Sequence, residues 1–69
     1  MKEYALALSS IDKAIELDSN FSKAYAVKGD IHYLMQDFQK AIDAYEACKK
    51  IVPANEAAIE RANLGLQKI

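Results

Sequence analysis

Residues 22–55 read SKAYAVKGDIHYLMQDFQKAIDAYEACKKIVPAN, and the spacing of their apolar and small side chains decides the fold. In the first half, Tyr25, Gly29, His32 and Met35 recur at intervals of three and four, with Lys23, Lys28 and Asp30 as polar neighbours. In the second half, Phe38, Ala41, Ile42, Tyr45, Cys48 and Ile51 or Val52 do the same. Gln39, Lys40, Asp43, Glu46, Lys49 and Lys50 make up the opposite face. Those intervals put residues on one face of an α-helix. Pro53 cannot continue the second helix, and it biases Val52 away from helical angles. Two helices joined by so short a turn lie antiparallel, as a hairpin.

The same periodicity continues outward. Before the hairpin, apolar residues fall at Tyr4, Leu8, Ile11, Ala14, Ile15 and Leu17; after it, at Ile59, Ala62, Leu66 and Ile69. Asp18-Ser19-Asn20 and Val52-Pro53-Ala54-Asn55 are the loop signals between them. The spacing therefore predicts four helices, at 2–17, 22–35, 38–51 and 56–68, in an all-α chain of antiparallel hairpins. Ser22 is the expected N-cap of the second helix and Asn55 of the fourth. Glu56 suits the start of its helix dipole, and Lys49 and Lys50 suit the end of theirs.

Composition narrows the function classes. The chain has 69 residues, 52% apolar and 28% charged, with two Gly and one Pro, which suits a small helical unit and excludes collagen or low-complexity disorder. Nine basic residues against ten acidic ones build no field for nucleic acid or an anionic membrane. The longest apolar run, Tyr4 to Leu8, is far below the ~20 residues of a membrane span. One Cys forms no internal disulfide, so the expected location is intracellular, in the cytoplasm.

Shifting the sequence by 34 residues aligns it with itself. Tyr4 meets Phe38, Ala7 meets Ala41, Leu8 meets Ile42, Ile11 meets Tyr45, Ala14 meets Cys48 and Leu17 meets Ile51; further on, Ala24 meets Ala58 and Tyr25 meets Ile59. A two-helix unit of ~34 residues resembles the tetratricopeptide repeat. Residues 22–55 look like one complete repeat. Tyr25 takes the large slot near its start, and Gly29, Ala41 and Cys48 take the small slots. Tyr45 is the second aromatic and Pro53 the terminator. His32 stands where the family carries Tyr, and Lys28 where it carries Leu. Residues 1–21 look like the second helix of a partial repeat, and 56–69 like the first helix of a next repeat or a capping helix. The resemblance implies a right-handed superhelix, and the whole a piece of a longer array. Small slots let helices close to ~8–10 Å, while Tyr25, Phe38 and Tyr45 fill the spaces between hairpins.

No catalytic group stands out. His32 has no second His and no suitably spaced Cys, so no metal or other cofactor is expected, and His32 and Cys48 read as packing residues. Asp12, Glu16, Asp43 and Glu46 lie beside lysines on solvent faces. What remains is a surface for a protein or peptide. In tetratricopeptide arrays the first helices line a groove, which carries over to Lys23, Ala26, Val27, Asp30, Tyr33 and Leu34. The fourth helix adds Ala57, Glu60, Arg61 and Leu64, with Ala54 and Asn55 at the edge. The stretch Asn20 to Tyr25 and the ending Leu64 to Ile69 resemble chaperone-adaptor members of the family. These are co-chaperones that hold the acidic C-terminal tails of heat-shock chaperones with Lys, Asn and Arg side chains. Lys23 matches one such slot; the arginine expected four residues later is Val27 here. The alternative is a structural role, with a homodimer formed through an uncovered stripe of Tyr4, Leu8, Ile11 and Ile15.

Overall fold

The computed structural model describes residues 2–51 and 53–69, the side chain of Lys2 excepted. Four helices follow one another: α1 (Lys2–Leu17), α2 (Ser22–Leu34), α3 (Phe38–Lys50) and α4 (Glu56–Lys68). They form a slab of 33 × 29 × 16 Å. α2 is its centre and packs against the other three; α3 also packs on α4, and among the described residues α1 touches α2 alone. The all-α hairpin architecture is the one the periodicity predicts. The expected action of Pro53 on Val52 lies outside the described residues, as does Val52 as an alternative core position.

The helix ends follow local capping chemistry at α4 and depart from it at α2. Asn55 caps α4: its side chain accepts from the Ala58 N–H at 3.1 Å. Ser22 is not the cap of α2. That position is Phe21, without a side-chain cap bond, and Ser22 is the first helical residue, buried at 4% exposure. The preceding turn explains the shift. Asp18 accepts from the Asn20 N–H through its side chain at 3.1 Å and from the Phe21 N–H through its carbonyl at 3.1 Å, which delivers the chain into the helix one residue early. At its other end α2 stops at Leu34. Gln36 adopts φ 63°, its N–H donating to the Tyr33 carbonyl, and the Asp37 N–H donates to the His32 carbonyl, both at 2.9 Å. This is a Schellman ending with Gln in the left-handed position where Gly is commonest. α3 ends one residue before the expected 51, because Ile51 is already extended at φ −71°, ψ 138°.

The core is built of small residues. Ala26, Ala41, Cys48 and Ala62 are each 0% exposed, with Ala58 at 4%. Tyr45, at 1%, is the one large side chain buried among them. Its ring sits between the two glycines of the chain, Gly29 on α2 and Gly65 on α4, so that three helices meet on one aromatic. Alanines and glycines let the helix axes come close, and dispersion over many short contacts then holds them. Phe38 and Met35, expected inside, are both 44% exposed. Met35 is the C-cap of α2 and Phe38 the first residue of α3, so both flank the turn between the two helices. Phe38 instead meets Tyr33 edge-on, with ring centroids 5.6 Å apart. Lys28, in the leucine slot, is half-buried and reaches Asp12 of α1 at 2.8 Å, so that carboxylate pairs across helices rather than along its own. Asp43 does pair along its helix, with Gln39 at 3.2 Å.

Candidate functional site

α2 and α4 run in the same direction and leave a groove between them. On α2 its wall carries Lys23, Asp30 and Leu34, with Val27 on the same stripe by its spacing; on α4, Ala57, Arg61, Leu64 and Lys68. Both sets follow the i, i+4, i+7, i+11 stripe of one helix face. Each α4 member stands 34 residues after its α2 counterpart, so the sequence period reappears as the level of residues across the groove. Arg61 divides it. Toward the helix N-termini lies a notch of about 180 Å³ lined by Lys23, Asn55, Ala57, Ala58 and Arg61. Toward the C-termini lies a trough of about 420 Å³, in which Tyr33, Leu34, Leu64 and Lys68 surround Asp30 and the edge of Tyr45.

The electrostatics of the two parts differ. No acidic side chain lines the notch, and among the described residues Lys23 makes no ion pair. Arg61 donates through Nε to Asp30 Oδ2 at 2.6 Å, and Asp30 Oδ1 accepts from the Tyr45 hydroxyl at 2.5 Å. Burial, and then that bond to Asp30, pushes the Tyr45 phenol well above its usual range, so it stays a donor. In the trough, Lys68 Nζ lies 6.0 Å from the centre of the Tyr33 ring, at the outer reach of a cation–π contact. Leu34 and Leu64, 57% and 54% exposed, form its apolar lips.

The expected site residues sort accordingly. Lys23, Asn55 and Arg61 come together at the notch; Asp30, Tyr33 and Leu34 meet Arg61 at the trough. Ala26 does not belong to this surface. At 0% exposure it lies in the core, because it sits on the face of α2 that is turned toward the packed alanines. Val27, beside it, is half-buried and brings no charge. The second cation lining the notch is Arg61 of α4. Lys68 and Gly65 were not anticipated, although a shift of 34 from Leu34 leads to Lys68. The stripe Tyr4, Leu8, Ile11 and Ile15 is not an open face: all four are half-buried, and α2 is the helix that α1 packs on. The large apolar residues exposed on α1 are Leu6 and Leu17, at 68% and 80%.

A second hollow, about 520 Å³, opens on the other side, floored by Tyr25, Lys28 and His32 between α1 and α3. His32 is 7% exposed and, among the described residues, its Nδ1 has no hydrogen-bond partner. Burial lowers its pKa below the ordinary 6.5, opposed by the Asp37 carboxylate. The unfolded chain thus takes up a proton near pH 6.5 that the folded chain resists. Stability is complete above that pH and is lost as pH falls through the lowered folded value. We expect the urea midpoint to drop between pH 7.5 and pH 5, and the drop to be smaller in His32→Leu, before most carboxylates titrate. Burial raises the Cys48 thiol in the same way, which keeps it an inert packing group.

Among the described residues no helix is long and apolar enough to cross a membrane. Comparison with known proteins matches the tetratricopeptide repeat family to residues 22–55. The Hsp70-Hsp90 organizing protein of Triticum aestivum is 36% identical over 53 residues, 77% of this chain and 9% of its own length. Hsp70-Hsp90 organizing protein 3 of Arabidopsis thaliana is 32% identical over 62 residues, 90% of this chain and 11% of its own. The peptidyl-prolyl cis-trans isomerase FKBP4 of Homo sapiens is 30% identical over all 69 residues, 15% of its own length. The chain thus spans a small part of the relatives it matches. No solved structure matches it. The match over residues 22–55, the 34-residue period and the stacked antiparallel helices agree, and the chain belongs to the tetratricopeptide repeat family.

Proposed function

We propose that this chain is part of a chaperone adaptor, and that its α2–α4 groove holds an extended peptide bearing a carboxylate, such as the acidic C-terminal tail of a heat-shock chaperone. The observation that carries this reading is the notch in which Lys23 and Arg61 face one small, apolar-floored space with no acid of the protein in it. The names of two relatives, Hsp70-Hsp90 organizing proteins, support the class of partner. The parallel seat of α4 on α2 supports reading α4 as a first-helix element and α1 as the second helix of a preceding repeat.

An acidic peptide with a free terminal carboxylate, titrated by calorimetry, tests it. Binding should weaken as salt rises, because the cations at the notch are exposed and screened. Removing one charge-assisted contact costs about 1.5 kcal/mol, so Lys23→Ala should bind roughly ten-fold less tightly. If Lys23→Ala bound as well as the parent, the notch would not be the carboxylate site.

A further inference from the structure

Arg61 is held by its side rather than its tip. A guanidinium carries five N–H donors in one rigid plane, one on Nε and four on the two terminal nitrogens. Asp30 takes the Nε donor at 2.6 Å, and among the described residues no other side chain bonds the guanidinium. Asp30 is in turn fixed by the Tyr45 hydroxyl at 2.5 Å, and Tyr45 is 1% exposed, wedged against Gly29 and Gly65. The chain of contacts runs from the core outward, α3 to α2 to α4, and ends at a residue that lines both parts of the groove.

We propose that Tyr45 is a positioning residue for the groove: through Asp30 it locks the guanidinium plane of Arg61, leaving the terminal N–H donors free for a ligand carboxylate, and so sets the preference for acidic over neutral peptide ends. The inference rests on the carboxylate reading of the groove. It also reassigns Asp30. With both oxygens engaged inside the protein, Asp30 acts as the brace of Arg61 rather than as a peptide contact. A planar, bidentate donor gains its advantage over a point charge only when its plane is fixed. Ordering one long side chain on binding has a cost that a brace removes beforehand.

Tyr45→Phe removes the hydroxyl and keeps the ring that fills the core. Two readouts apply to it. In the free protein, the Arg61 Nε–H resonance should exchange with water faster than in the parent. In titrations, the preference for an acidic hexapeptide with a free terminal carboxylate over its amidated counterpart should fall about five-fold. Affinity for the amidated peptide should be unchanged. Asp30→Asn should lower the preference too; if it instead tightened the acidic peptide, Asp30 would be a competitor for Arg61 and the proposal would be overturned. A parent protein that prefers the free carboxylate, with Tyr45→Phe retaining both the preference and the slow Nε–H exchange, overturns the positioning role alone. A parent with no preference overturns the carboxylate reading, and the proposal with it.

Discussion

Tyr45→Ala should abolish cooperative unfolding of the chain at 25 °C. The side chain is the large one in a core otherwise made of Ala26, Ala41, Cys48, Ala58 and Ala62, with Tyr25, Tyr33 and Leu66 partly buried against it, so the fully buried neighbours are too short to refill its space. Truncating a buried aromatic costs about 3–5 kcal/mol. A chain of 69 residues has a total stability of roughly 3–10 kcal/mol at the usual 0.05–0.15 kcal/mol per residue. Two interfaces are lost together, because the side chain touches α2 through Gly29 and, by its hydroxyl, through Asp30, and α4 through Gly65. Circular dichroism during urea titration reads the result: a broad, shallow transition in Tyr45→Ala beside a sharp one in the parent. A sharp transition within about 1 kcal/mol of the parent would show that the alanine contacts alone hold the helices.

The second large effect is at the glycines that seat this ring. Alanine in place of glycine inside a helix ordinarily stabilises by about 1 kcal/mol. Here the sign reverses. A Cβ at Gly29 would stand 2.5 Å from Tyr45 Cδ1 and Cε1, and one at Gly65 would stand 2.6 Å from Cε2 and 2.5 Å from the hydroxyl oxygen. The ring cannot yield to either, since the other glycine backs its opposite side and Asp30 holds its tip. Overpacking of this kind costs about 1–3 kcal/mol. Gly29→Ala and Gly65→Ala should therefore each lower the urea midpoint, Gly65→Ala by loosening α4. In a Tyr45→Leu background, where the ring is gone, the same substitutions should cost less. A double-mutant cycle with no coupling would place the penalty elsewhere than in contact with Tyr45.

Much of this architecture is legible along the chain. Intervals of three and four give the helices within a residue or so, because which face a residue takes follows from the 3.6-residue turn alone. The Asn55 cap is legible too, since a cap bond spans three residues. So is the repeat, because the small slots of Ala41 and Cys48 meet Ala7 and Ala14 across the 34-residue shift. Failures cluster where a neighbour, not the local turn, decides. Phe38 and Met35 have the right phase to be buried, but they flank the turn between α2 and α3 and stay exposed there. Ala26 and Val27 are adjacent in sequence, and only the packed structure says which of the two is sealed in the core.

The groove divides in the same way. Lys23, Asn55 and Arg61 could be placed on first-helix faces from their spacing. Their meeting at one notch, with Asp30 bracing Arg61 from 31 residues away and Tyr45 bracing Asp30 from 15, required the tertiary structure. Helical periodicity fixes the angle of a side chain around its own axis but not the height at which two axes cross. By itself, then, the sequence determined the four helices, their order and the repeat family. The packing of α4 on α2, set by how closely Gly29 and Gly65 approach one buried tyrosine, decided which charges meet and which are free.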